Sequence, residues 1–151
     1  MGNEYYSICC GVSRIMFAIE LVEGKDSPQH VHKQYEDKGK IAGLLLRLCE
    51  GIFGTGKVVI LDSGFCVLQA MIELKKMGVF ASVMIKKRRY WPTNIAGKEI
   101  KEYMLSKAVG TCKQLPGILD GQQSDVYALK EPDYVPMTMS TYGSLIIKDR
   151  Q

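Results

Sequence analysis

The sequence lacks the features that mark secreted, membrane-spanning and zinc-ribbon proteins. Its first ten residues contain no basic segment followed by an apolar one, so we expect no signal peptide. No apolar run approaches the roughly 20 residues that a membrane helix needs. The five cysteines form no C-x-x-C pair, which excludes a zinc ribbon and a thioredoxin-like motif. They favour free thiols in a reducing compartment, the cytosol or the nucleus.

Histidine is scarce, and no segment has low complexity. The two histidines, His30 and His32, could supply at most half of the ligands of a metal site. The favoured interpretation is that both lie in a polar surface loop. The 151 residues, 46% of them hydrophobic, suffice for one domain with a core. A net charge of +4 permits a nucleic-acid or acidic partner without requiring one.

Hydrophobic patterning predicts an α/β fold with a mixed sheet, in the order β-β-α-β-α-β followed by a β-rich extension. Asp120-Gly121 is a good hairpin turn. The expected strands are residues 4–10, 15–22, 58–61, 79–85, 110–114, 124–130 and 134–141. The expected helices are residues 40–50, a segment from near 65 to 77, and 97–109.

Residues 57–89 form the central strand–helix–strand unit. Its first strand ends at a single carboxylate, Asp62, and open α/β sheets place their chemistry at that end of the strands. Asp62 is therefore either a metal ligand or the N-cap of the helix that begins near Phe65. The residues alone favour the cap slightly. The other acids, Asp125 among them, are expected in loops or at element ends.

Residues 51–57, GIFGTGK, match the phosphate-loop pattern G-x-x-x-x-G-K. A phosphate loop follows a strand and opens a helix, whereas here a helix precedes and a strand follows. Val58 also stands where the pattern needs Ser or Thr. A glycine-rich connection is the favoured interpretation, and a small nucleotide-binding domain is the least favoured function.

A basic run with an aromatic pair follows the second strand of the unit. Cations suit DNA phosphates and aromatic rings suit base stacking, although a solvated strand exit explains the run equally well. The residues of the basic run are Lys86, Lys87, Arg88, Arg89, Tyr90 and Trp91. Its first four residues are also compatible with a nuclear-localisation signal.

Cys66 suggests a nucleophile near a helix start, but without a histidine partner it is better explained as a core residue.

These residues resemble the transposase domain of piggyBac transposable element-derived proteins. The most specific stretch is VVILDSGFCVLQAMIELKKMGVFASVMIKKRRYWP, with GKIAGLLLRL and FGTGK before it and LKEPDYVPMTMSTYG after it. The resemblance implies an RNase H-like core and a three-aspartate mechanism. In that mechanism two Mg²⁺ (or Mn²⁺) ions promote DNA cleavage and strand transfer at TTAA targets in the nucleus.

Carried over to this sequence, Asp62 matches the second catalytic aspartate and metal ligand. The places of the first and third fall before Met1 and past Gln151. Residues 1–151 are thus expected to be a partial domain without the first strand and the C-terminal catalytic helix. Such a chain should hold metal poorly, be inactive alone, and be marginally stable because a sheet edge is exposed.

The partners that the resemblance implies are DNA and an intact transposase, with no membrane. DNA is expected to contact the basic run, through Lys86, Lys87, Arg88, Arg89 and Trp91. The alternative is a domesticated binding module that pairs with DNA or with an intact transposase.

Overall fold

The computed structural model describes residues 4–22, 34–85 and 97–142. Within these ranges the chain forms seven strands and three α-helices. The strands are β1 (Glu4–Cys9), β2 (Met16–Val22), β3 (Val58–Leu61), β4 (Phe80–Met84), β5 (Cys112–Leu119), β6 (Gln122–Leu129) and β7 (Met137–Ser140). The helices are α1 (Lys40–Cys49), α2 (Leu68–Lys76) and α3 (Gly97–Leu105).

Strands β1 and β2 form an antiparallel hairpin, as the alternating pattern of the first residues predicts. The Cys10 amide donates to the Ile15 carbonyl at 2.8 Å and closes the turn, in which Arg14 adopts a positive φ of 60°. The hairpin is a two-stranded sheet of its own. An isolated hairpin is marginally stable in water, so it depends on the elements packed against it.

The other five strands form one mixed sheet in the order β3-β4-β7-β6-β5. Strands β3 and β4 run parallel, joined by α2, and the remaining neighbours are antiparallel. The predicted mixed α/β architecture is confirmed, and it is consistent with a partial RNase H-like fold. The parallel pair brings the carboxyl ends of β3 and β4 to the same sheet edge.

The core lies between the five-stranded sheet and the helices α1 and α2. The leucines of α1 follow helical spacing, and Leu46 is fully buried. Met71 and Leu74 of α2 are also fully buried, and they belong to the same core cluster as Leu46. The sheet contributes alternate residues, so one face of it is apolar. The sheet residues of this cluster include Val59, Ala81, Val83, Val126 and Met139.

Several predicted boundaries were wrong, among them those of α2, β5 and α3. A short 3₁₀ turn, Ser63–Phe65, precedes α2, which therefore begins at Leu68. Residues 115–119, expected in a loop, belong to β5, since they pair in register with β6 around the predicted Asp120-Gly121 turn. Helix α3 ends at Leu105, four residues early, and the chain then turns into β5. Pairing between separate strands, as between β5 and β6, overrides the local pattern of a segment.

The hairpin is attached to α1 by an ion pair and to the rest of the core by apolar contacts. Arg47 of α1 donates to both carboxylate oxygens of Glu20 at 2.7 and 2.9 Å, and both side chains are mostly buried. The hydrogen bond with Glu20 is the main cause of a raised Arg47 pKa. Tyr6 meets Phe65 edge to face, with ring centroids 5.7 Å apart.

Gly78 is expected to be intolerant of a side chain. It follows α2 with a φ of 71°, and a Cβ there would lie 3.0 Å from the Gly54 Cα. Gly121 has a similar φ of 72° but open space around it. We expect Gly78→Ala to lower the free energy of unfolding by about 1 kcal/mol more than Gly121→Ala, because only Gly78 adds a backbone clash to the left-handed strain.

Urea denaturation of the two alanine variants measures this difference directly. Equal losses in the two variants would show that the chain around Gly54 moves aside freely.

Candidate functional site

Asp62 lies immediately after β3, at the carboxyl edge of the parallel strand pair, and is exposed. Its Oδ1 accepts a hydrogen bond from the Ser63 amide at 2.6 Å, and its carbonyl accepts one from the Phe65 amide at 2.9 Å. The residue thus caps the 3₁₀ turn Ser63–Phe65, and not α2. Among the described contacts Oδ2 has no partner, so one carboxylate oxygen is available to a ligand.

In sequence the basic run follows β4, whose carboxyl end lies at the same edge of the sheet as Asp62. Leu61 and Val83 are partners in register, so Asp62 and Met84 occupy equivalent positions on the two strands. Ile85, whose amide donates to the Met137 carbonyl, is the last described residue before the run. Lys86, Lys87, Arg88, Arg89 and Trp91, together with His30 and His32, lie outside the described residues.

A two-metal site needs several carboxylates, and the described residues do not bring them together. Within the described ranges no group of three or more His, Cys, Asp or Glu side chains lies close enough to hold a metal ion. Glu20, which the sequence placed near the end of the second strand, is engaged with Arg47. Asp62 alone does not fit a two-metal site, and we derive no metal-dependent step from the described residues.

The glycine-rich loop of residues 51–57 is a structural connection. Its Gly54 and Gly56 amides donate to the Met77 and Gly78 carbonyls at 2.8 and 2.9 Å. A phosphate loop needs such amides free to bind the anion. The loop is followed by β3, as predicted, and does not open a helix. This geometry argues against nucleotide binding.

Cys66 and Cys10 differ in the pKa of their thiols. Cys66 is buried, and burial raises the pKa of its thiol to about 11, which argues against a nucleophile and for a core residue. Cys10 is different: hydrogen bonds from Ser13 lower the pKa of its thiol to about 7. Cys10 was not among the residues predicted from the sequence, although a cysteine three residues before a serine in a hairpin turn was a usable signal.

Asp125 also differs from its predicted place. It lies inside β6 at 1% exposure, where a loop or element end was expected. Its Oδ2 accepts from Gln114 Nε2 at 2.8 Å, while its buried Oδ1 has no hydrogen-bond partner. The residue opposite on β5 is Pro116, which has no amide to donate.

The fold and the strand-end carboxylate define a class of protein: a mixed α/β domain, consistent with a partial RNase H-like fold, with an acid at the carboxyl edge of its parallel strands. The sequence profile of a family described as Transposase IS4, within the DDE transposases, matches residues 1–150. The chain therefore belongs to this transposase family. Enzymes of the DDE class use divalent metal ions.

Two other comparisons add no relatives. No curated protein matches the chain. No solved structure matches it. Within the described ranges, none of the helices has the length and apolar content to cross a membrane.

Proposed function

We propose that this chain is a piggyBac-type, transposase-derived domain that contacts DNA and does not cleave it alone. The observation that carries the proposal is the position of Asp62 at the carboxyl edge of β3, in a chain that belongs to a DDE transposase family. On this proposal Asp62 is the second acid of the family triad and a ligand of Mg²⁺ or Mn²⁺. The protein acts in the nucleus, where its DNA partner resides.

The DNA contact is assigned to Lys86, Lys87, Arg88 and Arg89, with Trp91 stacking on or shielding the contact. The chain enters this run directly from Ile85, at the sheet edge that Asp62 shares. Cations at that edge would hold the phosphate backbone beside the carboxylate. Phosphate contacts of this kind bind without reading sequence and weaken with salt.

The first test measures DNA binding. We expect the double variant Lys86→Gln/Lys87→Gln to bind a TTAA-containing duplex about tenfold more weakly at about 0.1 M salt. The slope of log K against log salt concentration should fall by about 2, because each lysine on a phosphate contributes roughly 0.9. Fluorescence anisotropy across a salt series measures both quantities.

The matched control is Lys101→Gln/Lys113→Gln, which removes the same charge from exposed positions on α3 and β5. It should leave the slope within about 0.5 of the parent value. Equal losses in the two double variants would show that only net charge matters and would reject the assigned contact.

The second test concerns catalysis. Because the described residues bring no group of three or more potential metal ligands together, we expect no cleavage of TTAA-flanked DNA with Mn²⁺ above the level of Asp62→Asn. Gel analysis of end-labelled duplex provides the measurement. Cleavage that disappears in the Asp62→Asn variant would show that the chain is an active enzyme and that further acids complete the site.

The second candidate function is a binding module that associates with an intact transposase. The favouring observation is the hairpin of β1 and β2, which stands apart from the five-stranded sheet and leaves strand edges available. Co-purification of the two proteins, with a Kd measured in the absence of DNA, separates this function from direct DNA contact.

A further inference from the structure

A row of buried polar side chains crosses the face of the five-stranded sheet that points away from α1 and α2. Val126 and Met139 point into the core, so the residues that alternate with them lie on the other face. On that face Ser82 pairs in register with Ser140, and Ser140 pairs in register with Asp125. The three residues are 6%, 1% and 1% exposed, in that order. The row therefore holds one carboxylate beside two hydroxyl groups, away from solvent.

The two carboxylate oxygens of Asp125 differ in their hydrogen bonding. Oδ2 accepts hydrogen bonds from Gln114 Nε2 at 2.8 Å and from the Tyr127 hydroxyl at 3.5 Å. Oδ1 is buried, and no donor among the described residues bonds to it. A buried charge is costly unless it is paired or fully hydrogen-bonded. One oxygen of this carboxylate thus lacks the compensation that a buried charge needs.

Ser140, directly opposite Asp125, offers a lone pair and not a proton. Its hydroxyl donates to the Tyr142 carbonyl at 3.3 Å, and its Oγ accepts from the Tyr142 amide, also at 3.3 Å. A hydroxyl has one proton and two lone pairs, so one acceptor position on Oγ remains. Residues directly opposite on antiparallel strands have Cβ atoms about 5 Å apart. Two oxygen acceptors therefore share a small buried space, an arrangement that a cation between them stabilises.

The charge and the burial of the row favour a monovalent ion. The row carries one negative charge, which a single alkali-metal ion neutralises, whereas a divalent ion would leave a buried positive charge. Mg²⁺ also keeps several waters when it binds to proteins, and Asp125 is shielded from solvent. Carboxylate and hydroxyl oxygens are hard ligands, which suit a hard cation.

We propose that Asp125 Oδ1 and Ser140 Oγ bind a sodium or potassium ion on this face of the sheet, with the Ser82 hydroxyl next in the row. The ion joins β6 to β7 at the middle of the sheet and compensates the buried carboxylate. The proposal rests on side chains of β4, β6 and β7, which are separate from Asp62. It holds whether or not the protein binds DNA.

Urea unfolding in different chloride salts tests the site. In about 0.1 M sodium or potassium chloride, the unfolding equilibrium constant should be about tenfold lower than in choline chloride at the same concentration. This is the effect of an ion that binds only the folded protein with a Kd of about 10 mM. Choline keeps the ionic strength equal and is too large for a buried site. The comparison of sodium with potassium identifies the preferred ion.

Three variants show whether the response depends on the row. Asp125→Asn keeps the side-chain shape without the charge, so its unfolding constant should vary less than about twofold among the salts. In choline chloride this variant should be more stable than the parent, whose carboxylate is then uncompensated. Asp120→Asn, at an exposed position, should keep the full response. Ser140→Ala keeps the carboxylate but removes one ligand, so its response should be intermediate.

Equal stability of the parent protein in all three salts would overturn the proposal and assign the space at Oδ1 to water. An equal response of the parent and Asp125→Asn would also overturn it, since a general salt effect does not need this carboxylate. A response to magnesium chloride with none to sodium or potassium would reject the alkali-metal assignment. Because no DNA is present, failure here leaves the DNA-binding proposal standing, and a failed DNA-binding series leaves this one standing.

Discussion

Arg47→Met is expected to release the β1–β2 hairpin while leaving the five-stranded sheet folded. The Arg47 guanidinium donates to both Glu20 oxygens and to the Gln34 carbonyl at 3.1 Å. Methionine keeps much of the apolar stem and leaves the Glu20 carboxylate, whose side chain is 15% exposed, without its cation. Removing one partner of such a pair costs about 3 kcal/mol.

Hydrogen exchange measures the effect by segment. We expect amides of β1 and β2 to exchange about 100-fold faster in the variant, since about 1.4 kcal/mol corresponds to a factor of ten. The amides of β4 and β7 should keep the exchange rates of the parent protein, because Arg47 bonds to Glu20 and Gln34, which lie outside both strands.

Two variants serve as controls. Lys40→Met removes a cation from the exposed start of the same helix and should leave hairpin exchange unchanged. Arg47→Lys keeps the charge but loses the two-pronged geometry, so an intermediate rate is expected. Unchanged exchange in Arg47→Met would mean that the apolar contacts of Tyr6 and Ile8 hold the hairpin by themselves.

Asp125→Asn is expected to stabilise the protein by about 2 kcal/mol. Asp125 is 1% exposed; its Oδ2 accepts hydrogen bonds from Gln114 at 2.8 Å and from the Tyr127 hydroxyl at 3.5 Å, while Oδ1 is buried without a partner. Burying a charge with so little compensation costs several kcal/mol. Asparagine has the same shape, keeps an acceptor for Gln114 and removes the charge. Its own amide group lacks an acceptor, which limits the gain.

Urea unfolding at pH 7 provides the measurement, with Asp120→Asn as the matched control. Asp120 is exposed, in the β5–β6 turn, and its 3.7 Å pair with Lys76 is a surface contact, so a change within about 0.5 kcal/mol is expected. A loss of stability in Asp125→Asn would show that Oδ1 has a partner in solution.

Much of the fold could be predicted because its signals are local. Each signal involves residues that are close together in the sequence: the alternation of β2, the leucine spacing of α1 and the apolar run of β3. The placement of Asp62 after β3 followed from the same pattern and is confirmed, as is the Asp120-Gly121 turn. The assignment of Asp62 as a metal ligand stays a prediction.

The errors fall where distant parts of the chain meet. Residues 115–119 became strand because β6 pairs with them along their whole length. Asp125 became a buried residue because β5 and β7 enclose β6 on both sides. No window of sequence around either segment contains its partner.

The sequence by itself determined the order of elements, the acid at the end of β3, the basic run after β4 and the membership of a transposase family. Tertiary structure alone decided that the glycine-loop amides bind the turn after α2 and that the hairpin stands apart from the main sheet. The physical reason is that hydrogen bonds across a sheet or between loops join residues far apart in the chain, and their formation depends on the whole fold.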